Sequence, residues 1–308
     1  MEIVRIQRHG YGSQFNDLYI LYNCYVHKQT KNEYGIQKMR REIMFLQYIQ
    51  QQRIPFSIPT LHDYGKDYYI MEYCKDYLPL YQYFQTATQE EIQDILGQIR
   101  NQLDSMHQCT KQSSSLYEIV ELLRKETKVK IFQRYEEIKS IIDSYSTRIT
   151  QVNNHPIRSF DDIMQRIEKK VQDYVESMTT YELCLIHGDC QFNNILYHPI
   201  TKKIVFIDPR GYFGDKELFG VAEYDEAKIR FALTGYDVFD NLDIKSLDIQ
   251  DGNLILPNLF VIEHVDLSDF IGALTISIWL GNAHCFKDNP AKAVFSFYYA
   301  LYLGTLYL

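Results

Sequence analysis

The chain has 308 residues, a formal net charge of −8 and 46% hydrophobic residues. That is ample apolar sequence for one large domain or two lobes, and 26 Tyr and 17 Phe against 8 Pro exclude a mainly disordered chain. The acidic balance speaks against nucleic acid as a partner, because such binders present a basic footprint, whereas a small substrate stays open because a cleft can oppose the global sign.

The first residues predict strands at 3–8, 18–22 and 24–28, with a small polar turn from Gly10 to Asp17 between the first two. Ile36, Met39, Ile43, Leu46 and Ile49 recur at helical spacing, so a helix is expected over about 36–50. Pro55 and Pro59 break the pattern, and Tyr68 to Tyr73 reads as a buried strand. At 77–87 the composition shifts and helices take over. Thr88 and Glu91 have capping-box spacing, followed by Ile92, Ile95, Leu96, Ile99, Leu103 and Met106 at helical spacing. Ser113 to Ser115 reads as a loop, Tyr117 to Tyr145 as one or two charged amphipathic helices, and Ser159 with Asp162 as the start of a helix running to about Met178. Short strands are expected at 184–186, 195–197 and 204–207, and helix again from about Leu267. Phe270 to Gly281 and Ala293 to Leu308 are apolar but shorter than the ~20 residues a bilayer span needs. Buried C-terminal helices are expected there, with an interfacial or dimer-forming helix as the alternative. The fold expected is therefore α+β, with a small β-rich lobe over 1–76 and a larger helical lobe over 77–308, and a cleft between two such lobes is a common ligand site.

The six cysteines, Cys24, Cys74, Cys109, Cys184, Cys190 and Cys285, form no CxxC pair, so neither a zinc knuckle nor a redox dithiol is indicated. The opening residues carry no apolar signal core, which makes reduced thiols and a cytoplasmic location the expectation.

The strongest local pattern is His187-Gly188-Asp189-Cys190-Gln191-Phe192-Asn193-Asn194 between two apolar strands, followed by Asp208 at a strand end. A β-hairpin can bring these two carboxylates and the amide together. Phosphoryl transfer needs such a set: one Asp to accept or orient the proton of the attacking hydroxyl, and an Asn and a second Asp to hold Mg²⁺ on nucleotide phosphates. The spacing equals that of the protein-kinase loop H-R-D-x-x-x-x-N, with Gly188 where those enzymes carry the Arg that reads a phosphorylated activation loop. The plain alternative is a polar hairpin whose acids only form turns.

His-Gly-Asp-x-x-x-x-Asn followed by Ile-Asp resembles the aminoglycoside phosphotransferase and choline kinase superfamily, which has a bilobal protein-kinase-like fold. The resemblance implies an ATP- and Mg²⁺-dependent kinase of small hydroxyl compounds. Asp189 would be catalytic, Asn194 and Asp208 metal ligands, and His187 a brace for the loop. A kinase-like fold also needs a glycine-containing turn over the phosphates, a strand Lys and a helix Glu to pair with it. Gly12 and Ser13 lie in the candidate turn, Lys28 ends the third strand with Lys31 and Lys38 as competitors, and Glu42 lies on the next helix. By the same resemblance Ile70 to Cys74 is the hinge, where the Glu72 carbonyl and the Cys74 N–H would meet the adenine edge.

Asp208-Pro209-Arg210-Gly211, with Tyr224-Asp225-Glu226-Ala227-Lys228 after it, looks like a bacterial subgroup found with capsule and surface-polysaccharide synthesis, and fructosamine kinases share part of it. Both imply a sugar or sugar-like acceptor. Arg210 would sit near the transferring phosphate or form a salt bridge within the lobe, for instance with Asp225, and Asp225 reads as a structural anchor. Choline, ethanolamine and aminoglycosides remain alternative acceptors, GTP an alternative donor, and a silent nucleotide-binding adaptor an alternative of another class. Gly188 and the lack of a recognisable activation segment between Asp208 and Asp225 speak against a protein kinase.

Overall fold

The computed structural model describes residues 3–6, 15–262 and 265–308. The expected turn residues Gly12 and Ser13 lie outside them. The chain forms two compact units, each from two stretches: 1–112 with 183–232, and 113–182 with 233–308. The lobe boundary expected near residue 76 falls inside the first unit.

The first unit opens with a five-stranded antiparallel sheet in the order β1-β2-β3-β5-β4, made of β1 (Ile3–Ile6), β2 (Asn16–Leu21), β3 (Tyr25–Thr30), β4 (Leu61–Tyr64) and β5 (Tyr68–Glu72). The helix α1 (Glu33–Gln52) starts where the Asn32 side chain accepts from the Gly35 N–H and ends at Arg53, which takes a left-handed φ of 52°. Its buried face carries Met39, Ile43, Leu46 and Ile49, as the spacing predicts, and adds Glu42. Met39, Ile43 and Leu46 pack with Leu18, Val26, Tyr69 and Met71 of the sheet into one core. Burial of one such aliphatic side chain is worth about 1.5–3 kcal/mol, so this stripe is what docks α1 on the sheet.

Further along the unit, the helix Gln89–Cys109 begins with the full capping box, Thr88 and Glu91 bonding reciprocally, and buries all six expected apolar residues. Ile195–Tyr197 and Ile204–Phe206 form the expected antiparallel hairpin. Glu182–Leu185 pairs with Phe219–Gly220. The unit ends within the helix Glu223–Leu233.

The second unit is mainly helical. Leu116–Arg124 and Lys130–Ser146 are joined without a break by a π-helical turn at Lys125–Val129, so the single charged stretch is one continuous helix with a π-turn inside it. Phe160–Ser177 starts at Ser159, whose side chain accepts from the Asp162 N–H, as expected. Phe270–Asn282 and Pro290–Tyr307 are buried on nearly every face, which is why their sequences show no polar side. The sequence had not led us to expect the small four-stranded sheet of Gln151–Val152, His155–Pro156, Asp248–Gln250 and Asn253–Ile255, whose strands are too short to leave a period. Among the described residues no helix is long and apolar enough to cross a membrane.

Candidate active site

All described candidate residues belong to the first unit. Lys28 sits mid-strand in β3, paired between Leu18 and Tyr69, and is only 2% exposed. A buried ammonium needs charged partners. Its partners include Glu42 Oε2 of α1 at 2.6 Å and Asp208 Oδ1 at 3.0 Å. Tyr69 completes the cluster by donating its hydroxyl to Glu42 Oε2 at 3.1 Å, and its own ionisation is pushed far upward by burial. The competitors are engaged elsewhere: Lys31 pairs with Asp17 at 3.2 Å, and Lys38 lies over the rings of Phe15 and Tyr34.

The catalytic-loop candidates are held from beneath by one acid. Asp225 is fully buried; its carboxylate accepts from the backbone N–H of His187 at 3.0 Å and of Gly188 at 2.6 Å, and from His107 Nε2 at 2.9 Å. The Cys190 thiol adds a fourth contact at 3.6 Å, and burial raises that thiol well above its ordinary range. Burial alone would push the Asp225 carboxyl up, but these donors, His107 foremost, hold it below the usual carboxylate value. Gly188 takes φ +76°, and a Cβ there would lie 3.0 Å from the Arg210 Cβ, so the loop needs glycine at the position where protein kinases carry Arg.

His187 is buried against the rings of Phe45, Phe56 and Phe206. Its Nδ1 accepts from the Asp189 N–H at 3.3 Å and its Nε2 faces the Ile207 carbonyl at 3.1 Å, which requires the proton on Nε2. Burial lowers its pKa and keeps the ring neutral. Through these two bonds it links the backbone at Asp189 to the strand that leads to Asp208.

Asp189 itself is 30% exposed at its side chain. Asn194 donates Nδ2 to both the carbonyl and Oδ2 of Asp189, each at 3.0 Å, and Lys228 Nζ lies 2.9 Å from Oδ1. Desolvation pushes the Asp189 carboxyl upward, and the adjacent Lys228 ammonium overrides this and holds it below its ordinary value. The hairpin aligns the remaining pair: Ile195 faces Phe206, and the Ile207 N–H bonds the Asn194 carbonyl at 2.9 Å, so Asn194 and Asp208 leave the ladder side by side. Asp208 adopts φ +55°, a left-handed conformation uncommon outside glycine, which ends the strand abruptly at the carboxylate.

With the Asn194 amide nitrogen committed to Asp189, its carbonyl oxygen is the atom left for a ligand. That oxygen and the Asp208 carboxylate are hard donors of the kind Mg²⁺ takes. Among the described residues no group of three or more His, Cys, Asp or Glu could cage a metal. A Mg²⁺ ion shared with substrate phosphates needs only one or two protein ligands, so the donor set fits it.

Arg210 stacks on Tyr212 at 3.9 Å from the ring centre and donates to the Tyr224 hydroxyl; Asp225 is not its partner. Arg41 covers Tyr212 at 4.3 Å. Gly211, at φ +67°, passes so close to α1 that a Cβ would lie 2.8 Å from the Arg41 carbonyl oxygen. The hinge candidates are near the end of β5. The Glu72 side chain is exposed and accepts from the Thr60 hydroxyl at 3.2 Å, and burial raises the Cys74 thiol to about 11.

Sequence reasoning missed Lys228, His107 and Tyr69. Lys228 was within reach, because it stands four residues after Tyr224 and three after Asp225 and therefore shares their helical face. Nothing in the sequence marks His107 or Tyr69, which reach the site from distant elements.

A family model described as "Phosphotransferase enzyme family" matches residues 16–210. No curated protein matches the sequence. Among solved structures, the choline kinase LicA from Streptococcus pneumoniae is similar at 11% identity and a TM-score of 0.54, over 100% of this chain and 94% of that one. The gentamicin complex of the aminoglycoside phosphotransferase APH(2")-IIa is similar at 14% identity and a TM-score of 0.53, over 98% and 91%. The GDP and kanamycin complex of another APH(2") enzyme gives 13% and 0.54, over 99% and 92%. Likeness at this level of identity concerns the fold: the α+β, protein-kinase-like architecture is shared.

Proposed function

The chain belongs to the phosphotransferase enzyme family and is a small-molecule kinase, and from that premise we propose that it transfers the γ-phosphate of ATP, with Mg²⁺, to a hydroxyl of a sugar or sugar-like compound. The observation that carries this reading is the hairpin that sets Asn194 beside Asp208, with Asp189 bonded to the first and Lys28 to the second.

In this reading Asp189 accepts or orients the proton of the attacking hydroxyl, and Asn194 and Asp208 hold Mg²⁺. The ion, when bound, supplies charge neutralisation on the phosphates. Lys28, fixed by Glu42, reaches the α/β-phosphates. In this reading residues 1–76 serve as the nucleotide lobe and hinge, with the Glu72 carbonyl and the Cys74 N–H at the adenine edge. Residues 77–308 supply catalysis and acceptor binding. The tie to surface polysaccharides rests on the Asp208-Pro209-Arg210-Gly211 sequence. A silent nucleotide-binding adaptor is disfavoured because the base, both metal-ligand candidates and the Lys–Glu pair are all present.

The test is ADP release from Mg-ATP or Mg-GTP across sugars, choline, ethanolamine and aminoglycosides, the non-sugars included because the similar structures comprise a choline kinase and gentamicin and kanamycin complexes. Asp189→Ala is expected to cut the acceptor-dependent rate by about 10²–10⁴ while leaving thermal unfolding nearly unchanged. Full acceptor-dependent activity in that variant would remove Asp189 from the mechanism.

A further inference from the structure

Three lysines of the first unit approach the site from different elements, and two of them are already paired. The Lys28 ammonium is shared by Glu42 and Asp208, and Lys228 is matched by Asp189 at 2.9 Å. Lys38 differs. It is half-buried on α1, and among the described residues no carboxylate forms an ion pair with it. Its nitrogen lies 5.6 Å from the ring centre of Phe15 and 6.0 Å from that of Tyr34, and the two rings meet at 5.0 Å. Ring faces hold an ammonium in place without neutralising it. Phe15 is fixed where the candidate phosphate turn leads into β2: its carbonyl accepts from the Lys31 N–H at 2.8 Å and from the Thr30 hydroxyl at 3.2 Å. Lys38 stands one turn after Tyr34 and one turn before Glu42, so it shares the helical face whose Glu42 holds Lys28. Asp189 is within its electrostatic reach: against the upward push of burial, Lys228 first and Lys38 after it hold that carboxyl low.

We propose that Lys38 holds the terminal phosphate of the nucleotide from the α1 side of the site. The proposal rests on the kinase reading above and deepens it, because that reading gives the α/β-phosphates to Lys28 and names no side chain for the phosphate that is transferred. A hydroxyl served by Asp189 must face the phosphorus it attacks at about 3–3.5 Å, so the terminal phosphate has to come within reach of the ammonium that already acts on Asp189. Meeting it costs Lys38 no ion pair, whereas Lys28 and Lys228 would have to share theirs. The charge-assisted hydrogen bond so formed exists with a nucleoside triphosphate and is absent with the diphosphate.

The experiment measures dissociation constants of Mg-ATP and Mg-ADP by isothermal titration in the absence of acceptor, with Mg-GTP and Mg-GDP alongside. It compares the wild type with Lys38→Met and Lys38→Arg. Lys38→Met keeps an apolar stem against the two rings and removes only the charge, so thermal unfolding of the free protein is expected to stay close to wild type. In this variant the triphosphate is expected to bind about tenfold more weakly, while the diphosphate stays within about twofold of wild type. Lys38→Arg should keep the wild-type ratio of the two constants. A lysine that only packs on Phe15 and Tyr34 would weaken both nucleotides alike or neither, and either result overturns the proposal. The wild type separates the two failures: where it binds the nucleotides and the ratio is unmoved in Lys38→Met, the kinase reading stands and only the role of Lys38 falls, and where it binds none of the four, both fall.

Discussion

At the residue scale, the fate of Lys28 shows how burial and function constrain each other. An ammonium at 2% exposure is tolerated only because Glu42 and Asp208 lie within 3.0 Å, and those acids in turn rely on it. Lys28→Met keeps the length of the stem and removes the charge, leaving Glu42 beside Asp208 uncompensated. It is expected to destabilise the protein by about 3–5 kcal/mol in urea titration and to weaken Mg-ATP binding in the same preparation. A double variant, Lys28→Met with Glu42→Gln, should recover part of the stability and none of the binding. Recovery of both would mean that Lys28 serves packing alone.

At the scale of elements, the loop from His187 to Asn194 borrows its shape from a helix. The strand Glu182–Leu185 delivers the loop, the hairpin Ile195–Tyr197 with Ile204–Phe206 carries it away, and Asp225, early in Glu223–Leu233, holds its middle by two backbone N–H groups. The same helix presents Lys228 to Asp189. Removing Asp225 strands two buried donors and His107 at once. Asp225→Ala is expected to cost about 3–5 kcal/mol and to abolish turnover, because the loop loses its anchor. Asp225→Asn keeps one acceptor oxygen and should lie between wild type and Asp225→Ala in both measurements. An Asp225→Ala protein with wild-type stability would show that the loop is held by other means.

At the scale of the whole molecule, stability depends on pH through groups that the fold keeps in one charge state. His187 is buried among phenylalanines with its pKa lowered by burial. Below about pH 6.5 the unfolded chain takes up a proton there that the folded chain refuses, so unfolding gains as pH falls, by at most about 1.4 kcal/mol per pH unit for this one group, until the folded pKa is reached. Urea midpoints followed by circular dichroism should therefore fall between pH 6.5 and 5, with a shallower slope in His187→Asn. An equal slope would remove His187 as a cause. Trp279, the single tryptophan, is fully buried in the second unit with its Nε1 donating to Thr234 Oγ1 at 2.9 Å. Its fluorescence follows that unit separately from the His187 effect, which belongs to the first.

The sequence by itself determined which residues could do chemistry and which local elements carry them. The spacing of Met39, Ile43, Leu46 and Ile49 specified the buried face of α1, the Thr88–Glu91 box specified the start of its helix, and His187 to Asn194 with Asp208 specified a hairpin, because each of these is a contact between near neighbours in the chain. Only the tertiary structure decided what those residues meet. Lys28 and Asp208 are 180 positions apart, His107 and Asp225 118, and no periodicity encodes such separations. The short strands of the second unit escaped for the complementary reason, since two or three residues are too few to show an alternation. For Lys228 the helical face was legible in the spacing from Tyr224 and Asp225, and the fold decided that Asp189 stands opposite it.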